Sequence, residues 1–357
     1  MTFLIAAAGT GGHVFPGLAV GEALAERGVA KEEVLFIGGE RLEATVYPEA
    51  GFPFLAVELR GFQRSMTTRN LSLPRLVWRA RARIGAAIGE RGVRVALGMG
   101  GYVTVPTALA ARRERIPLLI AEQNAGAGLA NRIASRWAAR KFTSFPETSG
   151  LEDGEWVGNP VRRSLAEFDR DRLRPQAMSR YELDPELPVL GVFGGSLGAG
   201  SINAAVAGLV KTWSGAPIQV VHLTGEDGAG SEIGRGDMAI WKRRGFEDRM
   251  ELFYAAADLV VARAGGGVAE LTVTGTPSVL VPGEFGSTGH QAKNAAFLEE
   301  AGAAVVLPQS RIAELPDLVG TLLFSPERLQ SMRSAAGEIA KPGAAMTIAD
   351  AMLEQTR

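Results

Sequence analysis

One arrangement of the sequence restricts the fold more than any other: a strand, a glycine-rich loop and a helix follow one another twice. Residues 3–12, near the start, and residues 190–198, past the middle, each begin as an apolar run and end in glycines. Continuous apolar runs are typical of strands that are buried on both faces of a parallel sheet. Because each repeat opens a segment long enough for one Rossmann-like unit, we predict an α/β protein with two Rossmann-like domains that face each other across a cleft.

The remaining elements alternate in the same way. Apolar runs predict strands at Phe3–Ala8, Val34–Ile37, Val93–Leu97, Leu118–Ala121, Val189–Phe193, Gln219–Leu223, Leu259–Ala262 and Ser278–Val281. Helical periodicity predicts helices at Leu18–Arg27, Val105–Arg113, Ile202–Thr212, Gln291–Ala301 and Ala345–Leu353. Strands that alternate with helices are typical of α/β folds.

The domain boundaries follow from a proline-rich segment. Residues 159–188 contain four prolines and many charged residues, so we predict an irregular linker there. We expect the first domain to comprise residues 1–160 and, through a returning C-terminal helix, residues 343–357. The second domain then comprises residues 161–342.

Composition excludes several classes of protein. The 38 basic residues nearly balance the 39 acidic ones, which argues against a general nucleic-acid binder, since such proteins need a basic surface. The chain has no cysteine, so disulfides, thiolate metal ligands and cysteine nucleophiles are excluded. No apolar run is long enough to span a bilayer, and Phe3–Ala8 lacks the preceding basic region of a signal peptide.

The first glycine loop, Gly9–His13, leads from a strand into a helix. Its backbone amides and the helix N-terminus are suited to hold a phosphate or diphosphate, although a plain tight turn is the alternative. The loop fails the dinucleotide fingerprint because Val14 stands where the third glycine is needed. Histidine has a pKa near neutrality, so we predict that His13 has a functional role there.

Two further loops carry glycines in the second half. Gly194–Ser201 offers amides and the Ser196 hydroxyl to phosphate oxygens, but it lacks the lysine of a P-loop. Arg263–Glu270 again runs from a strand into a helix, and its Glu270 either favours the helix dipole or accepts the hydroxyls of a ribose. His290 and Gln291 begin another helix, where their side chains either contact a sugar or merely cap the helix.

Two other features have competing interpretations. Residues 71–88 mix Leu, Ile, Val and Trp with arginines at helical spacing, which is typical of a membrane-surface helix or of a core helix with a solvated basic face. Asp169-Arg170-Asp171 matches the metal-binding D-x-D of some sugar transferases, but it lies in the charged linker and not after a strand. We therefore expect no metal site there.

Taken in order, these motifs resemble one family. They are Gly9–Pro16, Leu97–Val103, Glu122–Asn124, Val157–Arg162, Gly194–Gly198, Phe246–Met250, Glu270, and His290-Gln291 with Asn294-Ala295. Together they are similar to the MurG family of bacterial peptidoglycan synthesis over essentially the whole chain. The resemblance implies a GT-B glycosyltransferase that moves N-acetylglucosamine from UDP-N-acetylglucosamine to lipid I, a muramyl pentapeptide on a polyprenyl diphosphate. The product is lipid II, and the anomeric centre is inverted.

The resemblance also implies a site, mostly in the second domain. Ser196 is expected near the UDP phosphates, the main chain around Glu247 at the uracil, and Glu270 at the ribose. Asn124 and Gln291 are expected at the sugar, with Arg162 nearby. The remaining expected contacts are Thr10, Gly11, Gly12, Phe246, Gly265, Gly266, Gly267 and Val268. At position 247 this chain has Glu where relatives commonly have an apolar residue.

The resemblance further implies a setting for the reaction. We expect no cofactor and no metal-binding residue, and the charge balance gives no reason to expect a nucleic-acid partner. The family sits peripherally on the cytoplasmic face of the membrane, so an anionic membrane surface is an expected partner.

The chemistry of such a transfer needs a base and a way to stabilise the leaving group. His13 is the first candidate base and Glu122 a weaker one. The Gly194–Gly198 amides and Arg162 are candidates for the diphosphate. Alternatives are a UDP-sugar 2-epimerase or another UDP-sugar-dependent glycolipid transferase of the same fold. An NAD(P)-dependent oxidoreductase, which the failed fingerprint disfavours, and a non-catalytic nucleotide-sugar-binding protein are further alternatives.

Overall fold

The structure, a computed structural model, describes residues 2–59, 73–195, 199–225, 233–235, 238–283 and 288–356. The chain divides into two compact units. Unit 1 comprises Met1–Arg162 and Pro342–Arg357, and unit 2 comprises Arg163–Lys341. Each unit is built on one sheet with helices, which confirms the predicted fold class of two Rossmann-like α/β domains. No helix in the described ranges is both long and apolar enough to cross a bilayer.

Unit 1 contains a parallel sheet with the strand order β3-β2-β1-β4-β5-β6-β7 in its described part. The strands are β1 (Thr2–Ala6), β2 (Val34–Gly38), β3 (Phe54–Ala56), β4 (Val93–Gly98), β5 (Leu118–Glu122), β6 (Arg140–Thr143) and β7 (Glu155–Trp156). The helices are α1 (Gly11–Glu26), α2 (Glu43–Glu49), α3 (Leu73–Arg91), α4 (Thr104–Glu114) and α5 (Leu129–Ala134), with short 3-10 turns at Lys31–Glu33 and Ser135–Trp137.

Unit 2 repeats this plan with the strand order β10-β11-β9-β8-β12-β13-β14, in which only the β10–β11 pair is antiparallel among the described strands. The helices that open it are α6 (Arg163–Ala166) and α7 (Arg170–Arg180). The strands are β8 (Val189–Phe193), β9 (Ile218–Leu223), β10 (Ile233–Arg235), β11 (Ala239–Arg244), β12 (Leu259–Ala262), β13 (Ser278–Leu280) and β14 (Ala304–Val306). The other helices are α8 (Gly200–Thr212), α9 (Met250–Ala256), α10 (Gly267–Val273), α11 (Thr288–Glu300), α12 (Leu315–Leu323) and α13 (Pro326–Ile339), with a 3-10 segment at Gln309–Glu314.

A last helix, α14 (Ala344–Glu354), returns to unit 1 and packs against α1. Ile348 and Met352 of α14 are fully buried in the same apolar cluster as Leu24 of α1. At the surface, Arg27 Nε donates a hydrogen bond of 2.6 Å to Asp350 Oδ1. Burial of this apolar face explains why the end of the chain belongs to unit 1.

Strand order locates the places where a ligand can enter each unit. In unit 1 the chain builds β1, β2 and β3 outward and then continues on the other side of β1 with β4. In unit 2 the same reversal lies between β8 and β12. Helices that leave in opposite directions open a crevice at the carboxyl ends of such neighbouring strands. The glycine loops after β1, β4, β8 and β12 therefore line the two crevices.

The predicted irregular linker is wrong over half of its length, because residues 163–166 and 170–180 are helical. Asp169 is the N-cap of α7, since its Oδ1 accepts a hydrogen bond of 3.1 Å from the Arg172 N–H. Asp171 lies in the first turn, where a carboxylate favours the helix dipole. The D-x-D sequence is therefore explained as the start of a helix.

Candidate active site

The first glycine loop is the N-terminus of α1. Gly9 has φ +109°, a left-handed conformation that favours glycine. Thr10 is the N-cap and is exposed, so the N–H groups of Gly11 and Gly12 lie in the first helical turn. These N–H groups have no acceptor within the helix, and they form the positive end of its dipole. This geometry is suited to an oxyanion.

His13 lies in the first turn of α1, and its ring is oriented by Gln123, the residue that directly follows β5. Its Nδ1 lies 2.8 Å from Gln123 Oε1. Gln123 is buried, and its Nε2 donates to the Ala121 carbonyl at 3.1 Å, which leaves Oε1 as the atom facing the ring. An amide oxygen can only accept, so Nδ1 carries a proton, and the neutral form of the ring has its lone pair on Nε2. That tautomer is the one a general base needs.

Glycine at position 100 makes room for this ring. A Cβ on Gly100 would lie 3.0 Å from His13 Cε1, and the residue has φ +90°. At Gly101 a Cβ would lie 2.4 Å from the Ala8 carbonyl oxygen. The glycine pair after β4 is thus required by the close approach of the two loops at the crevice of unit 1.

Glu122, the second candidate base, is buried and its carboxylate is fully engaged. Oε1 accepts from the backbone N–H and the Nδ2 of Asn124, both at 3.1 Å. Oε2 accepts from the Gly128 N–H at 3.0 Å and from Asn131 Nδ2 at 2.9 Å. These four donors hold the loop after β5 in shape. The geometry therefore argues against Glu122 as a base and favours a structural role.

Glu43 and Tyr102 form a network that the sequence reasoning missed. Glu43 is fully buried, and its Oε1 accepts from the Gly39 N–H at 2.9 Å and from the Tyr102 hydroxyl at 3.0 Å. Its Oε2 accepts from the Gly9 N–H at 3.4 Å. Burial and the Glu43 carboxylate raise the pKa of Tyr102, which keeps its hydroxyl protonated. This network ties the first glycine loop to the loop after β4.

The two remaining predicted residues of unit 1 lie at different places. Asn124 is half-buried beside Glu122, as described. Arg162 is half-buried at the end of unit 1, with its guanidinium carbon 5.7 Å from the centroid of the Phe15 ring on α1. Burial raises the pKa of Glu22, and the positive charge of Arg162 opposes that rise.

In unit 2 the crevice lies between the loops after β8 and β12. Gly195 has φ +93°, and Ser196 lies outside the described residues. Gly265 and Gly266 are half-buried before α10. A Cβ on Gly267 would lie 3.0 Å from the Phe193 ring, so glycine lets α10 approach β8 closely, and Val268 is buried beneath it.

The side chains of Glu270 and Gln291 are each oriented by a hydrogen bond. Tyr254, which is fully buried, donates its hydroxyl to Glu270 Oε2 at 2.8 Å. Gln291 Oε1 accepts a hydrogen bond of 2.8 Å from the Gly283 N–H. The amide NH₂ group of Gln291 is not used in this bond. Both side chains are half-buried and oriented. His290, the neighbouring candidate, is also half-buried at the start of α11.

Arg263 links three loops at this crevice, a role the sequence did not suggest. Its Nη1 donates to the Val281 carbonyl at 3.0 Å. Its Nη2 donates to Ser201 Oγ at 2.8 Å and to Gln309 Oε1 at 2.7 Å. The guanidinium thus joins the loop after β12 to the loop after β13 and to the 3-10 segment that follows β14. It also contacts the first turn of α8.

Glu247 turns inward while its neighbour Phe246 is 63% exposed. The carboxylate accepts from Arg180 Nη2 at 2.7 Å, from the Tyr181 hydroxyl at 2.7 Å and from the Arg249 N–H at 3.0 Å. Burial raises the pKa of Glu247, but these hydrogen bonds outweigh it and lower the pKa to about 2. The unusual glutamate therefore anchors this segment to α7.

In the described ranges, no group of three or more His, Asp or Glu side chains is placed to hold a metal ion. The arrangement offers instead an oriented histidine, a helix N-terminus with unpaired amides, and an oriented carboxylate at the second crevice.

Comparison with known proteins identifies the family. The glycosyltransferase family 28 N-terminal domain matches residues 3–143, and the C-terminal domain of the same family matches residues 189–351. A protein of Halorhodospira halophila is 40% identical over 98% of this chain and 96% of its own length. A protein of Acidithiobacillus ferrooxidans is 40% identical over 98% of this chain and 97% of its own length. Both are named UDP-N-acetylglucosamine–N-acetylmuramyl-(pentapeptide) pyrophosphoryl-undecaprenol N-acetylglucosamine transferase.

Solved structures agree with this result. The crystal structure of Acinetobacter baumannii MurG is similar with a TM-score of 0.73 and 25% identity, over 99% of each chain. A UDP-GlcNAc 2-epimerase from Neisseria meningitidis has a TM-score of 0.65 at 13% identity, covering 99% of this chain and 100% of its own, which shows a shared fold alone. The resemblance drawn from the motifs is thereby confirmed: this chain belongs to glycosyltransferase family 28 and, within it, to the MurG family of N-acetylglucosamine transferases.

Proposed function

We propose that this protein transfers N-acetylglucosamine from UDP-N-acetylglucosamine to lipid I with inversion at the anomeric carbon, and so forms lipid II. Family membership over nearly the whole chain supports the substrates. The observation that carries the chemistry is the His13 ring, whose Nδ1–H is held by Gln123. Its Nε2 is thereby left as a base at the crevice of unit 1.

In this proposal unit 1 binds the acceptor. His13 Nε2 accepts the proton of the acceptor hydroxyl as the hydroxyl oxygen attacks the anomeric carbon. The N–H groups of Gly11 and Gly12, next to the exposed Thr10, hold phosphate oxygens at the helix N-terminus. Glu122 keeps the neighbouring loop in shape, which positions Asn124 for the sugar.

Unit 2 binds the donor in this proposal. The Glu270 carboxylate accepts the ribose hydroxyls, and the main chain at Phe246 and Glu247 reads the uracil. Gln291 presents its NH₂ group to the sugar. As the bond from the anomeric carbon to UDP breaks, the Gly194–Gly198 loop stabilises the diphosphate. Further donor contacts in this proposal come from Ser196, Gly265, Gly266, Gly267 and Val268 of unit 2. Arg162, the last residue before unit 2, is another.

A transfer assay tests this function. Radiolabelled UDP-N-acetylglucosamine is mixed with a short-chain lipid I analogue, and label in the lipid fraction is counted. We expect transfer, with turnover lowered by about 10² to 10⁴ in His13→Ala, the usual contribution of acid–base catalysis, and unchanged UDP affinity. Label released as free N-acetylmannosamine would instead indicate an epimerase. No transfer by the native protein, or normal turnover by His13→Ala, would contradict the proposal.

We also propose that α3 docks the protein on the cytoplasmic face of an anionic membrane. Trp78 is 63% exposed, with the Arg81 guanidinium carbon 4.1 Å from its ring centroid. Arg75, Arg79 and Arg83 are exposed on the same helix, while Leu73, Leu76 and Val77 are half-buried. Each basic residue near such a surface contributes about 1 kcal/mol. The predicted residue Leu71 lies outside the described residues.

Vesicle co-sedimentation tests the docking face. Binding is expected to rise with anionic lipid, to fall with salt, and to drop when Arg75, Arg79 and Arg83 become Glu. Far-UV circular dichroism checks that the variant is folded. As a matched control, Arg328, exposed on α13 of unit 2, is changed to Glu and should leave vesicle binding unchanged. Equal binding by the triple variant would place the docking face elsewhere.

A further inference from the structure

A cavity of about 760 Å³ lies in unit 2 at the edge of the sheet opposite to the donor loops. Pro188, Asp258 and Gly275 line it, and they precede β8, β12 and β13 in the chain. The cavity is therefore at the amino ends of these parallel strands, whereas the proposed donor crevice is at their carboxyl ends. At about 3.3 Å per residue, the length of β8 places roughly 16 Å between the two edges. The cavity is thus distinct from the donor crevice of the same unit.

A saturated carboxylate forms the floor of this cavity. Asp258 Oδ1 accepts from Arg170 Nη2 at 2.6 Å, and Oδ2 accepts from Arg174 Nη2 at 3.3 Å and from the Val189 N–H at 2.9 Å. Both arginines also donate to carbonyls at the end of α9. Asp258 therefore has little capacity left to neutralise another cation.

A third guanidinium, that of Arg333 on α13, lines the same cavity without a protein partner. Within the described ranges, Arg333 makes no hydrogen bond and no ion pair with its side chain. Burial and the neighbouring charge of Arg170 lower the pKa of Arg333 to about 10, with Asp258 opposing and Arg174 adding to the effect. Arginine stays protonated under physiological conditions at that value. Among the described residues, the cavity therefore contains a guanidinium that has no hydrogen-bonded or ion-paired carboxylate.

The charges of the groups around Arg333 do not cancel. Asp171 also lines the cavity but is exposed at its rim. Arg170 and Arg333 line the cavity with Asp171 and Asp258. Arg174, which does not line it, pairs with Asp258, so the cluster as a whole has three guanidiniums and two carboxylates.

We propose that this cavity binds a small oxyanion, a phosphate or carboxylate group, on the Arg333 guanidinium, which lines it together with Arg170. Guanidinium groups bind both anions with strong, charge-assisted hydrogen bonds. Phe168, Pro188 and Leu329 add apolar walls, which suit the carbon skeleton of an organic anion. The volume is in the range of sites for small molecules, about 300 to 1,000 Å³.

Isothermal titration with inorganic phosphate tests this site. The titration is run at constant ionic strength, with and without saturating UDP, because free phosphate could also enter the donor crevice. We expect phosphate binding to persist in the presence of UDP. The affinity should fall at least about tenfold in Arg333→Gln, in line with the loss of a charge-assisted hydrogen bond. It should be unchanged in Arg328→Gln. Arg328 is an exposed residue of the same helix that does not line the cavity. A parallel titration with malonate shows whether phosphate or carboxylate is preferred.

The outcomes separate this site from the donor site. If neither anion binds, or if both bind Arg333→Gln as tightly as the native protein, the proposal is wrong. If Arg333→Gln fails to fold, Gln330→Glu decides instead, because Gln330 is exposed at the same cavity and adds a negative charge without removing a buried group. That variant should weaken anion binding at least about threefold, a modest Coulombic effect near a surface, and equal binding would overturn the proposal. Failure of UDP to bind would contradict the proposed function without affecting the comparison of Arg333→Gln with Arg328→Gln.

Discussion

Replacing Glu247 by Gln should destabilise unit 2 in a pH-dependent way. The native carboxylate has no exposed surface and pairs with Arg180, which also donates from Nε at 3.1 Å. Burial raises the pKa of Glu247, but the hydrogen bonds from Arg180, Tyr181 and the Arg249 N–H lower it from 4.5 to about 2. At about 1.36 kcal/mol per pH unit, that difference corresponds to a ceiling of about 3 kcal/mol. We expect a loss of about 2 to 3 kcal/mol in the free energy of unfolding at pH 7.

The sign of the pH dependence follows from the depressed pKa. A carboxylate whose pKa is lower in the folded state adds stability at pH values above its unfolded pKa, and loses it as pH falls through the folded pKa. The stabilities of the native protein and of Glu247→Gln should therefore converge as the pH falls from about 5 to about 2.

Urea unfolding followed by tryptophan fluorescence measures this effect, since Trp241 lies on β11 just before the segment. Asp248→Asn is the matched control. Asp248 has a side chain that is 75% exposed and accepts from the same Arg180 at 3.3 Å, so its loss should cost less than about 1 kcal/mol. Equal effects of the two substitutions, or a difference that does not shrink at low pH, would refute the reasoning.

Three further variants test other parts of the structure. Gln123→Glu places a carboxylate against His13 Nδ1, so the acidic limb of the pH–kcat profile should move up by about one to three pH units. UDP affinity is the control, and an unmoved profile would contradict a proton on Nδ1. Tyr254→Phe removes one hydrogen bond that orients Glu270. The substitution should weaken UDP binding about three- to tenfold by calorimetry, the worth of one hydrogen bond, and should affect 2′-deoxy-UDP less. Ile348→Ala should lower the free energy of unfolding of unit 1 by about 2 to 5 kcal/mol in urea, and a loss below about 1 kcal/mol would show that α14 is not part of the core.

The central strands could be predicted because burial on both faces makes them continuously apolar. The predictions Val189–Phe193 and Leu259–Ala262 coincide with β8 and β12. β11 was missed because it lies near the sheet edge, and its half-buried Trp-Lys-Arg-Arg sequence shows no apolar run. The start of α1 was placed too late, because its first turn consists of glycine-rich loop sequence, and glycine has a low helix propensity.

The candidate site was predictable where residue type and position were sufficient. His13 was identified because a histidine directly follows a glycine loop at the carboxyl end of a strand. Its partner Gln123 is 110 positions away, and only the parallel order of β1, β4 and β5 brings the two together. Glu122 has the residue type of a base, but its four donors come from loop geometry that the sequence does not reveal. The same is true of the pairing between Glu247 and Arg180.

The return of α14 to unit 1 has a consequence for synthesis of the chain. Unit 2 is inserted into unit 1, so the ribosome must add roughly 180 residues between Arg162 and Pro342 before α14 exists. At about 5 to 20 residues per second, this interval lasts roughly 10 to 35 s. Throughout it, the apolar face of α1 that Ile348 and Met352 will cover is open to chaperones or to aggregation. Unit 2 can fold meanwhile on its own contacts, so the half that emerges second is the first able to complete its core.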